Sequence, residues 1–325
     1  MSGFTTQTID HVIRANLWSS DLKDVLEDEL MGMRYVKMIE GFPDGDTLNI
    51  PSIGQMEAQD YAEDQAVQYT AMETGNFTFQ ITDYKVSGTY VTDKMKQDSY
   101  VMAQIESMFV PKMNRAIMKQ VEVDVLAIGP EGQTSADPNT INSAAHRWIG
   151  GGTSEQISIK DFELARYALS RANVPLTNLV AIVDPSVEVT LATLSNLTNV
   201  SNNKSWEGII RDGMSTGMQF KMNIFGWDVY ISQNLHRNTA SETIDLSSLG
   251  GTSRTAAAGV NNLFFSATSD VLPFVGNIRQ PIRVESGRNR DRQRDEYVTT
   301  MRYGLDLYRP ENLVVIVTDT DQVYA

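Results

Sequence analysis

The chain has 325 residues, of which 41% are hydrophobic and 21% charged, a globular composition with ample material for a core and not that of a disordered chain. Its formal net charge is −14, and residues 1–90 alone hold 15 acidic against 5 basic side chains, a footprint that repels phosphate backbones and argues against a sequence-reading nucleic-acid binder. The absence of cysteine excludes disulfides, thiolate metal sites and a cysteine nucleophile, and no run of about 18 apolar residues offers a membrane-spanning helix.

The opening, MSGFTTQTIDHVIRANLW, has no basic region followed by an apolar run, so no secretory signal is expected. Within 9–30, Asn16, Ser19 and Ser20 favour caps over helix interiors. Trp18, Leu22, Val25, Leu26 and Leu30 would share one face if 20–31 is helical, which describes an arm with one apolar side. Leu48, Ile50 and Ile53 alternate around Pro51 before Gly54, the pattern of a strand ending in a turn. Residues 55–76 are polar and acidic. Phe77, Phe79 and Ile81 then alternate, and Tyr84, Val86, Tyr90 and Val91 continue in β-prone residues. Two β-rich arms around a polar tip predict a long hairpin. Such a ribbon is marginal alone in water and needs a neighbour to lie on.

From 94 to 128 the period becomes helical. Val101, Ile105, Met108, Phe109, Met113, Ala116, Ile117, Val121, Val125 and Ile128 form the apolar stripe, with Lys112, Arg115, Lys119 and Glu122 outside it. Gly129-Pro130 reads as a stop, and the segment would reach roughly 50 Å. Pro111 lacks an N–H and crowds the carbonyl of Ser107. Either 94–109 and 111–128 are separate helices, with Pro111 in a first turn, or the segment is one bent rod, the reading preferred here.

Residues 129–157 read as a loop rich in Gly, Pro, Ser, Thr and Asn, and 159–172 as a helix with Phe162, Ala165 and Leu169 inward and Asp161 near its start. Residues 178–184 form a short apolar run, hence a buried strand, and Pro185 opens a helix through about Leu194 with Val187 and Leu191 inward. Residues 196–217 are loop-like. Two strands follow about Phe225-Gly226, then an exposed loop over 237–260 and a buried strand over 262–267. Near the end Met301, Tyr303, Leu305 and Leu307 share one parity, and Val314 to Val317 form a last strand. No repeat is evident.

Little here can do chemistry. His11, His146 and His236 lack metal-ligand spacing and read as surface or satisfied histidines. The Gly129–Ser135 loop lacks the lysine of a phosphate loop and follows a helix where a strand is required, and Gly150-Gly151-Gly152 reads as a joint. No nucleophile elbow occurs, and Asp319 with Asp321 is weak evidence for a cation. No catalytic residue, metal or cofactor is therefore expected. Arg288, Arg290, Arg292 and Arg294 alternate with Asn289, Asp291, Gln293 and Asp295; in a strand, four guanidinium groups would share one face. Set against the acidic residues 1–90, that ladder suits a subunit contact. The candidate contact residues are Trp18 and Leu22 on the arm, Met56, Tyr61 and Tyr69 at the hairpin tip, and these four arginines.

The order of these pieces resembles the major capsid protein of tailed bacteriophages, the Hong Kong 97 fold, an α+β architecture. GDTLNIPSIG (45–54) is similar to the strand entering that family's extended loop, and LSRANVPLTNLVAIVDPSVEVTL (169–191) to its axial-domain helix, strand and helix start. Gly226 to Ser232 with Asn234, and Tyr303-Gly304 with Arg309-Pro310-Glu311, resemble its later strands. The resemblance implies an N-terminal arm over 1–45, an extended loop over 46–92 and a peripheral domain over 93–158 with a spine helix at 94–128. An axial domain would follow over 159–285, with a return to the peripheral domain over 286–325. It further implies no active site, hexamers and pentamers closing into an icosahedral shell around double-stranded DNA, and assembly in a host cytoplasm into a virion. An acidic inner wall would limit sticking to that DNA. The arm begins close to Met1, so a separate scaffolding protein is expected beside a portal, and the tip at 55–76 has no lysine for a crosslink. Two alternatives remain at this point: an encapsulin-like compartment enclosing a cargo enzyme, and a soluble α/β enzyme with its site in the 129–157 or 237–260 loops.

Overall fold

The computed structural model describes residues 30–39, 47–53, 60, 63, 74–98, 102–131, 137–193, 220–238, 240–257 and 259–319. In chain order the elements are β1 (Val36–Met38), β2 (Thr47–Ile53), β3 (Thr74–Gln80), β4 (Asp83–Thr92), α1 (Asp93–Asp98), α2 (Met102–Glu131), β5 (Thr140–Ile141), β6 (Ala144–Ala145) and β7 (Arg147–Ile149). They continue with α3 (Ile159–Arg171), β8 (Leu179–Val183), α4 (Pro185–Thr193), β9 (Phe220–Ile224), β10 (Trp227–Ile231), β11 (Glu242–Ile244), β12 (Arg254–Ala256), β13 (Gly259–Ser266), β14 (Phe274–Asn289), β15 (Arg294–Leu307) and β16 (Val314–Asp319).

The centre is a six-stranded mixed sheet in the order β7-β16-β13-β8-β10-β9. Every residue of β8, β13 and β16 is buried, which is why these strands read in sequence as apolar runs and not as alternations. One face packs on α3 and α4 through Phe162, Phe264 and Trp227, whose rings meet edge-on at 5.3 and 5.1 Å. The other face packs on α2 and on Tyr35, whose ring meets Phe265 edge-on at 5.1 Å. A capping box starts α3: the Asp161 carboxylate accepts the Ser158 N–H at 2.7 Å. The turn between β9 and β10 holds Phe225 and Gly226 at φ 49° and 84°, a pair of left-handed residues matched to strand twist.

Helix α2 is continuous from Met102 to Glu131 and includes Pro111, so two separate helices over 94–109 and 111–128 are ruled out. Its start differs from the expectation: 93–98 is the short α1. Its end overruns the expected 128 by three residues, through Gly129-Pro130 to Glu131. Gly129 serves close packing, since a Cβ there would run into the Leu313 side chain. Met113, Ile117, Val121 and Val125 are buried as the period requires, whereas Ala116 is exposed.

A second sheet, β1-β14-β15-β4, lies against α2 with Met301 and Tyr303 buried between them. β14 runs unbroken from Phe274 to Asn289, and its far half is exposed. β2 and β3 pair antiparallel in register from Thr47–Gln80 to Ile53–Thr74 and form a sheet of their own, the expected hairpin. It is seated at its base by Phe79 and Ile81 against Val275, and by Phe77 edge-on to Tyr308 at 5.2 Å. The 129–157 and 237–260 stretches are more ordered than loops: they hold β5, β6 and β7, and β11 and β12. These strands of two or three residues pair through backbone groups, too short for a hydrophobic period to show.

Candidate assembly site

The arginine run is a hairpin end and not a straight strand. Arg288 pairs with Asp295 and Asn289 with Arg294 across β14 and β15, leaving Arg290 to Gln293 as the turn. The four guanidinium groups therefore do not share one face. No glycine or proline announces this turn; Gln293 adopts φ 47°, its amide donates to the Arg290 carbonyl at 2.8 Å, and the Arg292 N–H donates to the Asn289 side chain.

Two of the arginines act within the subunit. Arg288 grips Asp93 of α1 with both arms of its fork, at 3.1 and 2.6 Å, and Lys96 donates to Asp295 at 2.7 Å. That lysine bond holds the half-buried Asp295 carboxyl below its usual range. Arg294 donates to Glu296 at 2.7 Å, lowering that carboxyl as well, and its guanidinium lies 4.3 Å from the centre of the Tyr90 ring. These contacts tie α1 and β4 to the hairpin. Arg290 and Arg292 are exposed at its tip. The Arg290→Glu, Arg292→Glu double variant should assemble poorly in sedimentation while its thermal midpoint stays within about 2 °C of the parent, as expected for surface charges. Normal assembly would remove the tip from the contact surface.

Trp18, Leu22, Met56, Tyr61 and Tyr69 lie outside the described residues. Periodicity missed three other features. The first is β4, in which Tyr84, Val86 and Tyr90 point outward, 55%, 56% and 56% exposed, and only Val91 at its end is buried. The alternate Lys85 faces α2, bonding Asp124 at 2.9 Å, and the Tyr303 hydroxyl donates to the same carboxylate at 2.5 Å. Burial together with that bond pushes the Tyr303 phenol far up. Among described residues β4 pairs only with β15, so its outer edge and an aromatic stripe are both uncovered.

The second is Glu122, which the period placed outside the stripe. It is buried at 1% exposure, and its carboxylate accepts the N–H of Met31 at 3.1 and 3.2 Å and that of Gly32. A Cβ on Gly32 would sit 2.7 Å from that carboxylate. The clamp fixes where the chain after residue 30 joins the body.

The third is His146, fully buried with Nδ1 3.2 Å from the Ala144 carbonyl. Burial pulls its pKa below the ordinary value, against weaker opposing contributions from the Ala144 and Glu311 carbonyls. An unfolded histidine binds its proton near pH 6.5, whereas the buried ring waits for lower pH. Its contribution to stability is thus full above about pH 6.5 and declines as pH falls below it. Urea unfolding of the parent minus that of His146→Gln should show this acid-side decline; parallel curves from pH 7 to pH 5 would refute it. Among the described residues no group of three metal-ligating side chains occurs, and no helix is long and apolar enough to cross a membrane.

A scan of protein-family models finds no match to the chain, and neither does a comparison with curated proteins. Solved structures match over nearly the whole length. A chain from Mycobacterium phage Che8 is 17% identical with a TM-score of 0.65, covering 94% of this chain and 97% of that one. The capsid structure of the cyanophage P-SCSP1u is 14% identical with a TM-score of 0.65, covering 97% and 96%. The capsid of Ralstonia phage GP4 is 10% identical with a TM-score of 0.62, covering 98% of each chain. The chain shares the fold of these phage capsid structures. In particular, that fold is the tailed-phage major capsid fold.

Proposed function

We infer that this protein is a major capsid protein whose copies associate into hexamers and pentamers and close an icosahedral shell around double-stranded DNA. The observation that carries this reading is the combination of a capsid fold matched end to end with surfaces that no described residue covers: the outer part of the β2–β3 ribbon and the exposed side chains Tyr84, Val86 and Tyr90 of β4. A soluble enzyme would cover such surfaces itself and gather polar groups in a cleft. The reading makes the virion the protein's location, with a portal and a separate scaffolding protein as partners. The net charge of −14 favours enclosing DNA without gripping it. Arm, extended loop and a helical spine, α2, are the parts we assign by the same likeness.

Negative-stain microscopy of the protein expressed with its neighbouring genes should show closed particles of uniform size. A subunit that stays a self-contained monomer at every concentration would overturn the reading.

A further inference from the structure

A cavity of about 470 Å³ opens between the first turns of α3 and the turn joining β11 to β12, a size suited to a small molecule. Ala144 and Trp148 line its buried part, and Leu164, Leu246 and Leu249 add apolar walls. Its polar groups are unequal. The Asp161 carboxylate is saturated, accepting the indole N–H of Trp148 at 3.1 Å, the Gly151 N–H at 2.9 Å, and the N–H and hydroxyl of Ser158 at 2.7 and 2.8 Å. It has no capacity left for a cationic ligand, and it already caps the first turn of α3 from within.

The two cations on the lining differ from it. Arg254 is held in the wall through Nη1, which donates to the Gly150 and Gly152 carbonyls at 2.7 and 3.3 Å. Lys160 stands exposed in the first turn of α3. Neither has an acidic partner among the described residues, although the chain carries 41 acidic side chains against 27 lysines and arginines. These features define the chemistry of an occupant. An apolar interior takes a hydrocarbon chain or ring and rejects polar groups that would go unpaired. Two cations without acidic partners call for an anion. The Asp161 carboxylate beside them repels a second negative charge, which favours a single carboxylate over a phosphate dianion.

We propose that this cavity binds a free apolar carboxylate of the fatty-acid kind, its chain lying against Trp148 and the three leucines and its carboxylate held by Lys160 and Arg254. The site is independent of self-association. The test titrates the full-length chain with dodecanoate, below its micelle concentration, in a calorimeter. One dodecanoate per chain is expected, bound about tenfold tighter than dodecyltrimethylammonium, which has the same chain and the opposite charge. Lys160→Glu should weaken dodecanoate about tenfold, whereas Lys94→Glu, an equal change of charge on the exposed face of α1, should leave it unchanged. An acid in the first turn suits a helix, so Lys160→Glu should keep the parent's thermal midpoint and show that the variant folds. A diazirine-bearing dodecanoate should label peptides containing Leu164, Leu246 or Leu249, and excess dodecanoate should suppress the label. Absence of saturable binding, equal affinity for the two amphiphiles, labels confined to another surface, or an affinity indifferent to Lys160→Glu would each overturn the proposal. Particle formation is scored separately by negative stain, so a failed pocket leaves the shell reading intact and a failed shell leaves the pocket to stand on its titration.

Discussion

A chain in which residues 54–73 are replaced by Asn-Gly is expected to fold and to form no closed particles. Ile53 and Thr74 are register partners, so a two-residue turn joins the strands without disturbing the ladder from Thr47–Gln80 onward. The seat of the ribbon is untouched: Phe79 and Ile81 stay buried on Val275, and Phe77 keeps its contact with Tyr308. Gly304 keeps its close crossing, where a Cβ would lie 2.5 Å from the Gln80 carbonyl oxygen. The thermal midpoint should therefore move by less than about 4 °C, the equivalent of about 1 kcal/mol or so for a domain of this kind. What the replacement removes is a polar, acidic stretch with no apolar period, material unsuited to a core but suited to lying on another subunit. Sedimentation velocity and negative stain decide the outcome. Closed particles from the shortened chain would take away the main support for assigning the ribbon to assembly.

The elements that sequence revealed are those buried against their own chain. β8, β13 and β16 are apolar because both faces are covered, and α3 announces its start through Ser158 and Asp161. Phe225-Gly226 marked its hairpin because a glycine accepts positive φ. The surfaces facing outward were harder to read. In β4 the alternation is real, but its sense is inverted, since Lys85 turns in to Asp124 while Tyr84, Val86 and Tyr90 turn out. Alternation reports that two faces differ and is silent on which one the subunit keeps for itself. The arginine run misled for a related reason: with no glycine or proline it looked extended, and only the pairing of Arg288 with Asp295 makes it a turn. The helical period places Glu122 outside the apolar stripe, yet tertiary packing buries it and brings two backbone N–H donors onto it. Of the candidate contact residues, the structure locates the four arginines and leaves only Arg290 and Arg292 at the exposed tip, while the arm and loop-tip candidates fall outside the described residues.

The largest loss of stability is expected from Arg147→Met. Arg147 and Glu242 form an ion pair with side chains only 2% and 9% exposed, and Asn238 donates to the same glutamate. Burial lowers the pKa of the guanidinium, but the shift starts from so high a value that the group stays charged. Removing the arginine leaves a carboxylate facing a site built for a cation, at a cost of about 3–5 kcal/mol, read as a lower urea midpoint. Glu242→Leu should cost a similar amount. The double variant Arg147→Met, Glu242→Leu should recover most of either loss, because the desolvation of both charges disappears together. Additive losses would mean that the two side chains act independently. The pair joins β7, at the edge of the six-stranded sheet, to β11, whose turn into β12 supplies one wall of the cavity. Arg147→Met should accordingly speed amide exchange in 245–253 ahead of β8 or β13, and leave the hairpin at Arg290 and Arg292 as protected as before.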